Sequence, residues 1–272
     1  MLIFCNFGEW AIEQAAREGF DGIRCDESNG RTAAENVSLF VHQPMRPIFL
    51  LHDVTQSQPL LDALLPVQDH LLDPAIEIFN ELEEGKVTED IYVDGIAAVY
   101  HDARSRGFTG RIIAGGLMNL SRDSLDFYAH VLPRLPADRG LQGLTVGFHD
   151  YPYGTQQGPR KTWPGTGSPD KAIDTLVGLA KGRDIANTEV GWHTADEEDG
   201  FFVWKRTVRL TDEQAYDKLV TDLRRYDARG FIVLTVVFQW RDGGEDFRGQ
   251  FGLHTADGQP KRQLDAVKDW RT

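Results

Sequence analysis

Cysteine is scarce in this chain of 272 residues: only Cys5 and Cys25 occur, each inside a strand-like apolar run and neither in a Cys-x-x-Cys or Cys/His pattern. A disulfide framework and a cysteine-based metal centre are thereby excluded, and both are expected to be buried thiols. Basic charge is also short. Lys and Arg number 29 against 42 Asp and Glu, a net charge of −13, which repels phosphate backbones and anionic headgroups instead of collecting them. Nucleic acid and membrane are therefore not expected partners. Long apolar runs are missing too. The longest candidate, 231–238, is interrupted by Thr235 and falls well short of the roughly 18 residues of a membrane span. The start, Met1-Leu2-Ile3-Phe4-Cys5-Asn6, lacks the basic region and apolar core of a signal peptide. This fits a cytoplasmic protein, or a secreted one whose leader has been removed. Asn36-Val37-Ser38 and Asn119-Leu120-Ser121 fit the glycosylation pattern, which matters only in a secretory host.

What is present is a hydrophobic fraction of 41%, enough to bury a sizeable core. Short apolar runs alternate with longer amphipathic ones from end to end, the signature of βα units around a parallel sheet. Eight rounds can be counted, with strands expected at 2–7, 19–25, 47–52, 75–80, 111–115, 143–149, 185–190 and 231–239. Helical patterns lie near 11–17, 33–42, 59–69, 89–106, 121–132, 169–181 and 211–228, and a last one at 261–270 closes the chain. In 89–106, Ile96, Val99, Tyr100 and Ala103 recur at three- and four-residue spacing. Ser168-Pro169 reads as an N-cap and first-turn pair, and Thr211 with Gln214 as a capping box. Gly107 and Gly230 sit just past two helix ends, where a positive φ is needed.

Eight rounds of about 34 residues match the usual size of a (β/α)8 barrel, about 250 residues. The expected fold class is therefore α/β, a single (β/α)8 TIM barrel over residues 1–272. An open doubly wound sheet is the alternative, but no Gly-x-Gly-x-x-Gly follows the first strand. The longest connections follow the sixth, seventh and eighth strands, as they would on a face enlarged for binding.

In such a barrel the carboxyl ends of the strands converge on a common centre. Those positions are polar and aromatic here: Asn6, Glu9 and Trp10; Arg24 and Asp26; His52 and Asp53; Asn80 and Glu81; His149, Asp150 and Tyr151; Glu189 and Trp192; Gln239, Trp240 and Arg241. The fourth and seventh strands lie across the barrel from each other, so Glu81 and Glu189 can face one substrate. At about 5 Å apart, one carboxyl group would act as nucleophile and the other as acid, then base, giving glycoside hydrolysis with retention. The two must differ in pKa. Arg24 and Tyr151 are the candidates to keep Glu189 ionised; Glu81, between Phe79 and Leu82 and near Glu83 and Glu84, is the candidate for a raised value. Taken alone, the run Glu81, Glu83, Glu84 also reads as a solvated face, and Glu189 as a strand-end residue bonded to a turn.

Together, Ile78-Phe79-Asn80-Glu81, His149-Asp150-Tyr151 and the run from Ile185 to Trp192 resemble the retaining (β/α)8 glycoside hydrolases of clan GH-A, which include cellulase-like and β-mannanase-like families. The resemblance implies Glu81 as acid/base, Glu189 as nucleophile and Asn80 as donor to the sugar 2-hydroxyl. It implies that Tyr151 bonds the nucleophile, that Arg24 supports it and that Trp240 lies under the sugar. His52 resembles the clan's histidine on the third strand, and the tail from Gly252 to Lys261 its closing segment. His149 and Trp192 join the substrate-binding set through the same motifs. Leu82 departs from the frequent Asn-Glu-Pro form.

The long loops carry Tyr153, Trp163, His193, Phe201, Phe202 and Trp204, as a cleft wall for sugar rings or as packing against the barrel; Trp163, among Gly and Pro, is the one expected to be exposed. His70, His101 and His130 fall in helical stretches and are expected at the surface; His42 and His254 carry no pattern. No Gly-x-Ser-x-Gly, His-Glu-x-x-His or Gly-x-x-x-x-Gly-Lys is present. A metal site from His52, Asp53 and His149 is not favoured, and no cofactor or metal is expected. Gly243-Gly244 is followed by Glu245 and Asp246, which argues against a phosphate-binding isomerase or aldolase. The expected function is retaining cleavage of β-glycosidic bonds in an oligo- or polysaccharide, by a monomer, with endo action suggested by the short chain. A carbohydrate-binding barrel without turnover is the alternative.

Overall fold

A computed structural model describes residues 1–6, 12–26, 30–80, 87–117, 119–138, 143–150, 168–192, 194, 197–199, 206–208, 210–239, 241–243 and 251–272. Strands and helices alternate in the order β1 (Leu2–Asn6), α1 (Ile12–Glu18), β2 (Gly22–Cys25), α2 (Ala33–Ser38), β3 (Arg46–Leu51), α3 (Ser57–Leu64), β4 (Ala75–Ile78), α4 (Glu89–Ser105), β5 (Arg111–Ala114), α5 (Arg122–Val131), β6 (Leu144–His149), α6 (Pro169–Ala180) and β7 (Ile185–Val190). There follow β8 (Glu197–Asp199), β9 (Arg206–Val208), α7 (Asp212–Asp227), β10 (Ile232–Val237) and α8 (Gln263–Asp269). Eight parallel strands close into a barrel, β1-β10-β7-β6-β5-β4-β3-β2, and closure excludes the open doubly wound sheet.

The expectation of eight uninterrupted rounds is corrected at one place. The neighbour of β7 in the barrel is β10, because β8 and β9 pair with each other in a separate antiparallel hairpin. Two strands of three residues each give no readable alternation, which is why the aromatic loop after the seventh strand hid them. Smaller corrections have local causes. The helix expected at 59–69 stops at Leu64 and continues as 3-10 turns over Leu65–His70, since Pro66 has no N–H to offer an α-helical carbonyl. The helix expected to 42 ends at Ser38, and His42 adopts a φ of 61°. The second strand begins at Gly22, not 19, because Gly19 at φ 93° ends α1.

Alternation along each strand divides the apolar residues into two layers. Phe4, Ile48, Ala75, Ile113, Ala186, Leu234 and Val236 pack inside the barrel. Residues such as Ile3, Cys5, Ile23, Cys25, Ile76, Ile78, Ile112, Val146 and Val190 face the helices. Phe4 fills the interior beside Gly22, where a Cβ would lie 2.0 Å from the Phe4 ring. Both cysteines are buried and free, with thiol pKa values pushed up by burial. The caps read from sequence are present: the Ser168 side chain accepts from Lys171 N–H, and Thr211 and Gln214 form the reciprocal box. Gly107 and Gly230 have φ of 89° and 69°.

Candidate functional site

Above the apolar interior, Arg24 of β2 reaches across to β4 and β7. It is 1% exposed and divides its donors among three partners. Nε donates to Glu77 Oε2 at 2.6 Å and Nη2 to Glu77 Oε1 at 3.2 Å; Nη2 also donates to Asn80 Oδ1 at 2.7 Å, and Nη1 to Glu189 Oε1 at 2.6 Å. A planar guanidinium suits this forked arrangement as an ammonium would not. Burial works against its charge, but Glu77 and then Glu189 outweigh it and hold Arg24 above its ordinary pKa.

Glu77 was not among the residues expected from sequence. It is fully buried, and its signal was present: a lone acid in Ala75-Ile76-Glu77-Ile78, sharing the inward face with Ala75. A carboxylate inside a strand of a closed barrel needs a cationic partner.

Glu189 reaches the same centre through an irregularity in β7. Ala186 belongs to the interior layer, and a regular strand would turn a residue three positions later outward. Between Asn187 and Val190, however, β7 carries one residue more than either neighbour: Phe148 and His149 pair with Asn187 and Glu189, and Thr235 and Val237 with Asn187 and Val190. This bulge turns Glu189 back to the interior. The Glu189 N–H donates to Asn187 Oδ1 at 3.3 Å, and its carbonyl accepts from the Asp150 N–H at 2.9 Å. His149 Nδ1 lies 3.8 Å from Glu189 Oε2, with both side chains almost wholly buried. Room for that imidazole is made by Gly116, where a Cβ would stand 2.6 Å from His149 Cδ2.

Asn80 enters from a sharp turn. The fourth strand was expected to run to 80, yet β4 ends at Ile78 because Phe79 has a φ of 71°, uncommon for a large side chain. Contacts on two sides hold it there. A Cβ at Gly115 would fall 1.9 Å from the Phe79 carbonyl oxygen, and one at Gly95 2.7 Å from its ring. The Phe79 N–H donates to the Leu51 carbonyl at 2.7 Å, and its ring stacks on Tyr92.

Two other expected site residues stand apart from this cluster. His52 is partly exposed after β3, its Nε2 2.8 Å from Asp26 Oδ2, while Asp53 caps the short turn Val54–Gln56. Trp192 is 8% exposed, and its indole N–H donates to Asp222 Oδ2 of α7 at 2.7 Å, so it stands behind the centre. Glu81, Tyr151, Trp163 and Trp240 lie outside the described residues, as do Glu9, Trp10, Tyr153, His193, Phe201, Phe202 and Trp204. Among the described residues no three His, Cys, Asp or Glu side chains come together as a metal site, and no helix is long and apolar enough to cross a membrane. His70, His101 and His130 are exposed, whereas His254 is buried against Glu18 at 3.1 Å. Asn36 and Asn119 are 2% and 8% exposed, which closes both glycosylation patterns to a glycan in the folded chain.

No protein-family model and no curated protein matches the chain. Solved structures match it in fold. A family 128 (subgroup I) endo-β-1,3-glucanase from Amycolatopsis mediterranei, in complex with laminaritriose, is 13% identical with a TM-score of 0.63 over 99% of each chain. A family 39 glycoside hydrolase from the gut symbiont Bacteroides cellulosilyticus WH2 is 14% identical with a TM-score of 0.64, over 98% of this chain and 62% of that one. A β-glucuronidase from Ruminococcus gnavus, in complex with D-glucuronic acid, is 17% identical with a TM-score of 0.60, over 94% and 44%. At these identities the likeness is one of fold. The resemblance to clan GH-A and its cellulase-like and β-mannanase-like families is accordingly corrected. Family 128 glucanases match over nearly their full length, and the barrel's numbering jumps from β7 to β10. Short polar motifs at strand ends recur wherever a closed barrel gathers its carboxyl ends, so they do not define a clan.

Proposed function

We propose that the chain is a glycoside hydrolase, a single (β/α)8 barrel over residues 1–272 carrying β8–β9 as an insertion, that cleaves β-glycosidic bonds with retention. The observation that carries this reading is Glu189: a buried carboxylate at the end of β7, bonded to Arg24 at 2.6 Å and facing His149. The guanidinium favours negative charge on the group that would attack the anomeric carbon. As the Glu189–carbon bond forms, the bond to the leaving sugar breaks and its oxygen takes the proton of Glu81. Ionised Glu81 then removes a proton from water, whose oxygen attacks the anomeric carbon from the face the leaving sugar vacated, opposite Glu189, and breaks the Glu189–carbon bond, so that two inversions give retention.

The remaining residues take supporting parts. Arg24 can only donate, so Asn80 turns its carbonyl oxygen toward it, which leaves the amide N–H groups for a sugar 2-hydroxyl. Tyr151 serves as the hydrogen-bond partner of Glu189, Trp240 as the platform beneath the sugar, and Trp163 and His52 as rim contacts. The substrate is an oligo- or polysaccharide, cut internally by a monomer without a cofactor. β-1,3-Glucan is the first choice, because the family 128 glucanases matched over their full length are endo-acting and were solved with laminari-oligosaccharides.

The test is reducing-end release from β-1,3-, β-1,4- and mixed-linkage glucans, mannans, xylans and galactans, with Glu189→Gln alongside and the first-formed anomer followed by NMR. Release that retains configuration and vanishes in the variant is expected. Wild-type rates in Glu189→Gln, or an inverted product, overturn the mechanism. Binding of a glycan without release in the wild-type protein would turn the reading into that of a carbohydrate-binding barrel.

A further inference from the structure

Helix α7 packs on the barrel through Ala215, Leu219, Val220, Leu223 and Tyr226, and on the same buried side it carries a carboxylate, Asp222. Asp222 Oδ2 accepts the Trp192 indole N–H, and Oδ1 lies 2.8 Å from Arg225 Nη2. The same guanidinium nitrogen donates to Asp150 Oδ2 at 2.9 Å, and the Tyr226 hydroxyl also donates to that oxygen. Asp150 directly follows His149, and its N–H holds the Glu189 carbonyl; Trp192 lies three residues beyond Glu189. One helix thus grips the ends of β6 and β7 just past the two groups that face each other in the centre.

Two buried acids are a costly way to pack a helix, since apolar side chains of similar volume would serve as well or better. Their directed bonds offer what apolar contacts do not, a fixed position for the chain on either side. We propose that Asp150 and Asp222, joined through Arg225, are positioning residues for the His149–Glu189 pair, and that proton uptake by these joined acids loosens the pair as pH falls. The titratable and charged groups facing them are Lys218, Arg225 and Tyr226 on α7, and Asp170 at the start of α6. The Trp192 indole, after β7, is held between Asp222 and Lys218, whose Nζ lies 4.3 Å from the ring centroid. Burial is the main cause raising both acids, against the lowering by Arg225; Asp222 is pushed up to about 6, in part by Asp150. The change therefore falls in mildly acidic solution.

The catalytic consequence rests on the hydrolase reading, so the experiment has an arm that does not. In 15N-resolved NMR of the wild-type protein, the Trp192 indole signal should show a step near pH 6 that the His149 ring signals follow. Asp222→Asn keeps an acceptor for the indole but cannot take up the proton, and should abolish the step in both signals. Asp150→Asn provides a second variant in which the His149 signals shift while the Trp192 step persists with a moved midpoint. The second arm is the pH profile of glycan hydrolysis. Asp222→Asn should move its acid limb and lower kcat by about tenfold with little change in KM. If no glycan is turned over, the hydrolase reading fails and the NMR arm still decides the positioning role. His149 signals that titrate identically in the wild-type protein and a folded Asp222→Asn overturn the proposal.

Discussion

Arg24 and Glu77 form a two-point ion pair in which the side chains are 1% and 0% exposed, and every other polar contact of Arg24 is built on that pairing. With Nε and one edge of Nη2 fixed on β4, the guanidinium can rotate no further, so Nη1 has one direction left, toward Glu189. The pair serves geometry more than stability, because desolvating two charges offsets most of their attraction.

Breaking it from one side should therefore cost more than removing it whole. Arg24→Ala leaves Glu77 and Glu189 buried without their cation, and urea unfolding should show a loss of about 3–5 kcal/mol. The double replacement Arg24→Met with Glu77→Leu should recover much of that stability without restoring turnover. A double variant as unstable as Arg24→Ala would mean that the charges themselves hold the barrel closed.

Two neighbouring glycines offer a contrast. Gly115→Ala drives a Cβ toward the Phe79 carbonyl, which is backbone and cannot step aside; the expected cost is about 2–3 kcal/mol, and the turn bearing Asn80 moves with it. Gly116→Ala meets the edge of the His149 imidazole at 2.6 Å and the Phe148 backbone less closely, at 2.8 Å, against 1.9 Å to backbone at Gly115. Its melting temperature should fall less while its activity falls at least as far. Comparing thermal midpoints and initial rates for the pair separates the two effects.

The pH dependence of stability follows from Asp222. Its folded pKa is about 6 against an ordinary 3.8, so between these values the folded chain holds a proton that the unfolded chain has released. The resulting stabilisation is complete below about pH 4 and is lost as pH rises through 6. At 1.36 kcal/mol per pH unit this amounts to about 3 kcal/mol. Asp222→Asn should remove that slope from the difference in urea midpoints between pH 4.5 and 7.5. An unchanged slope would show that Asp222 titrates as an ordinary surface acid.

Burial pushes both cysteine thiols far from ionisation. Neither should react with a thiol-specific chromogenic reagent in the native state at pH 8, and both should react in urea. Rapid native labelling of one thiol would place that strand in contact with solvent.

The barrel was legible because periodicity is a repeated signal: eight apolar runs at regular spacing outvote any single ambiguous one. Arg24 and Glu189 were legible as charged residues at strand ends. Glu77 was less legible because it sits in mid-strand, outside the pattern of polar strand ends, although its apolar neighbours Ala75, Ile76 and Ile78 require a charge there to be buried and paired. The bulge in β7 and the turn at Phe79 left no mark in the sequence. Each is imposed from outside, by neighbours in register and by Gly95 and Gly115, which lie far along the chain. The hairpin β8–β9 was too short to show a period at all.

The seam between β1 and β10 has a consequence for how the molecule is made. Leu2 to Cys5 pair with Leu234 to Val237, so on the ribosome β1 keeps one edge unpaired until more than 230 further residues have been synthesised. Such an edge invites wrong partners, and a contact of that sequence separation is slow to form. The Thr235 hydroxyl, donating to the Met1 sulfur, lies on the same seam. Closure is therefore a late event in biosynthesis, and a chain halted before β10 would present two open strand edges to the proteins that guard nascent polypeptides.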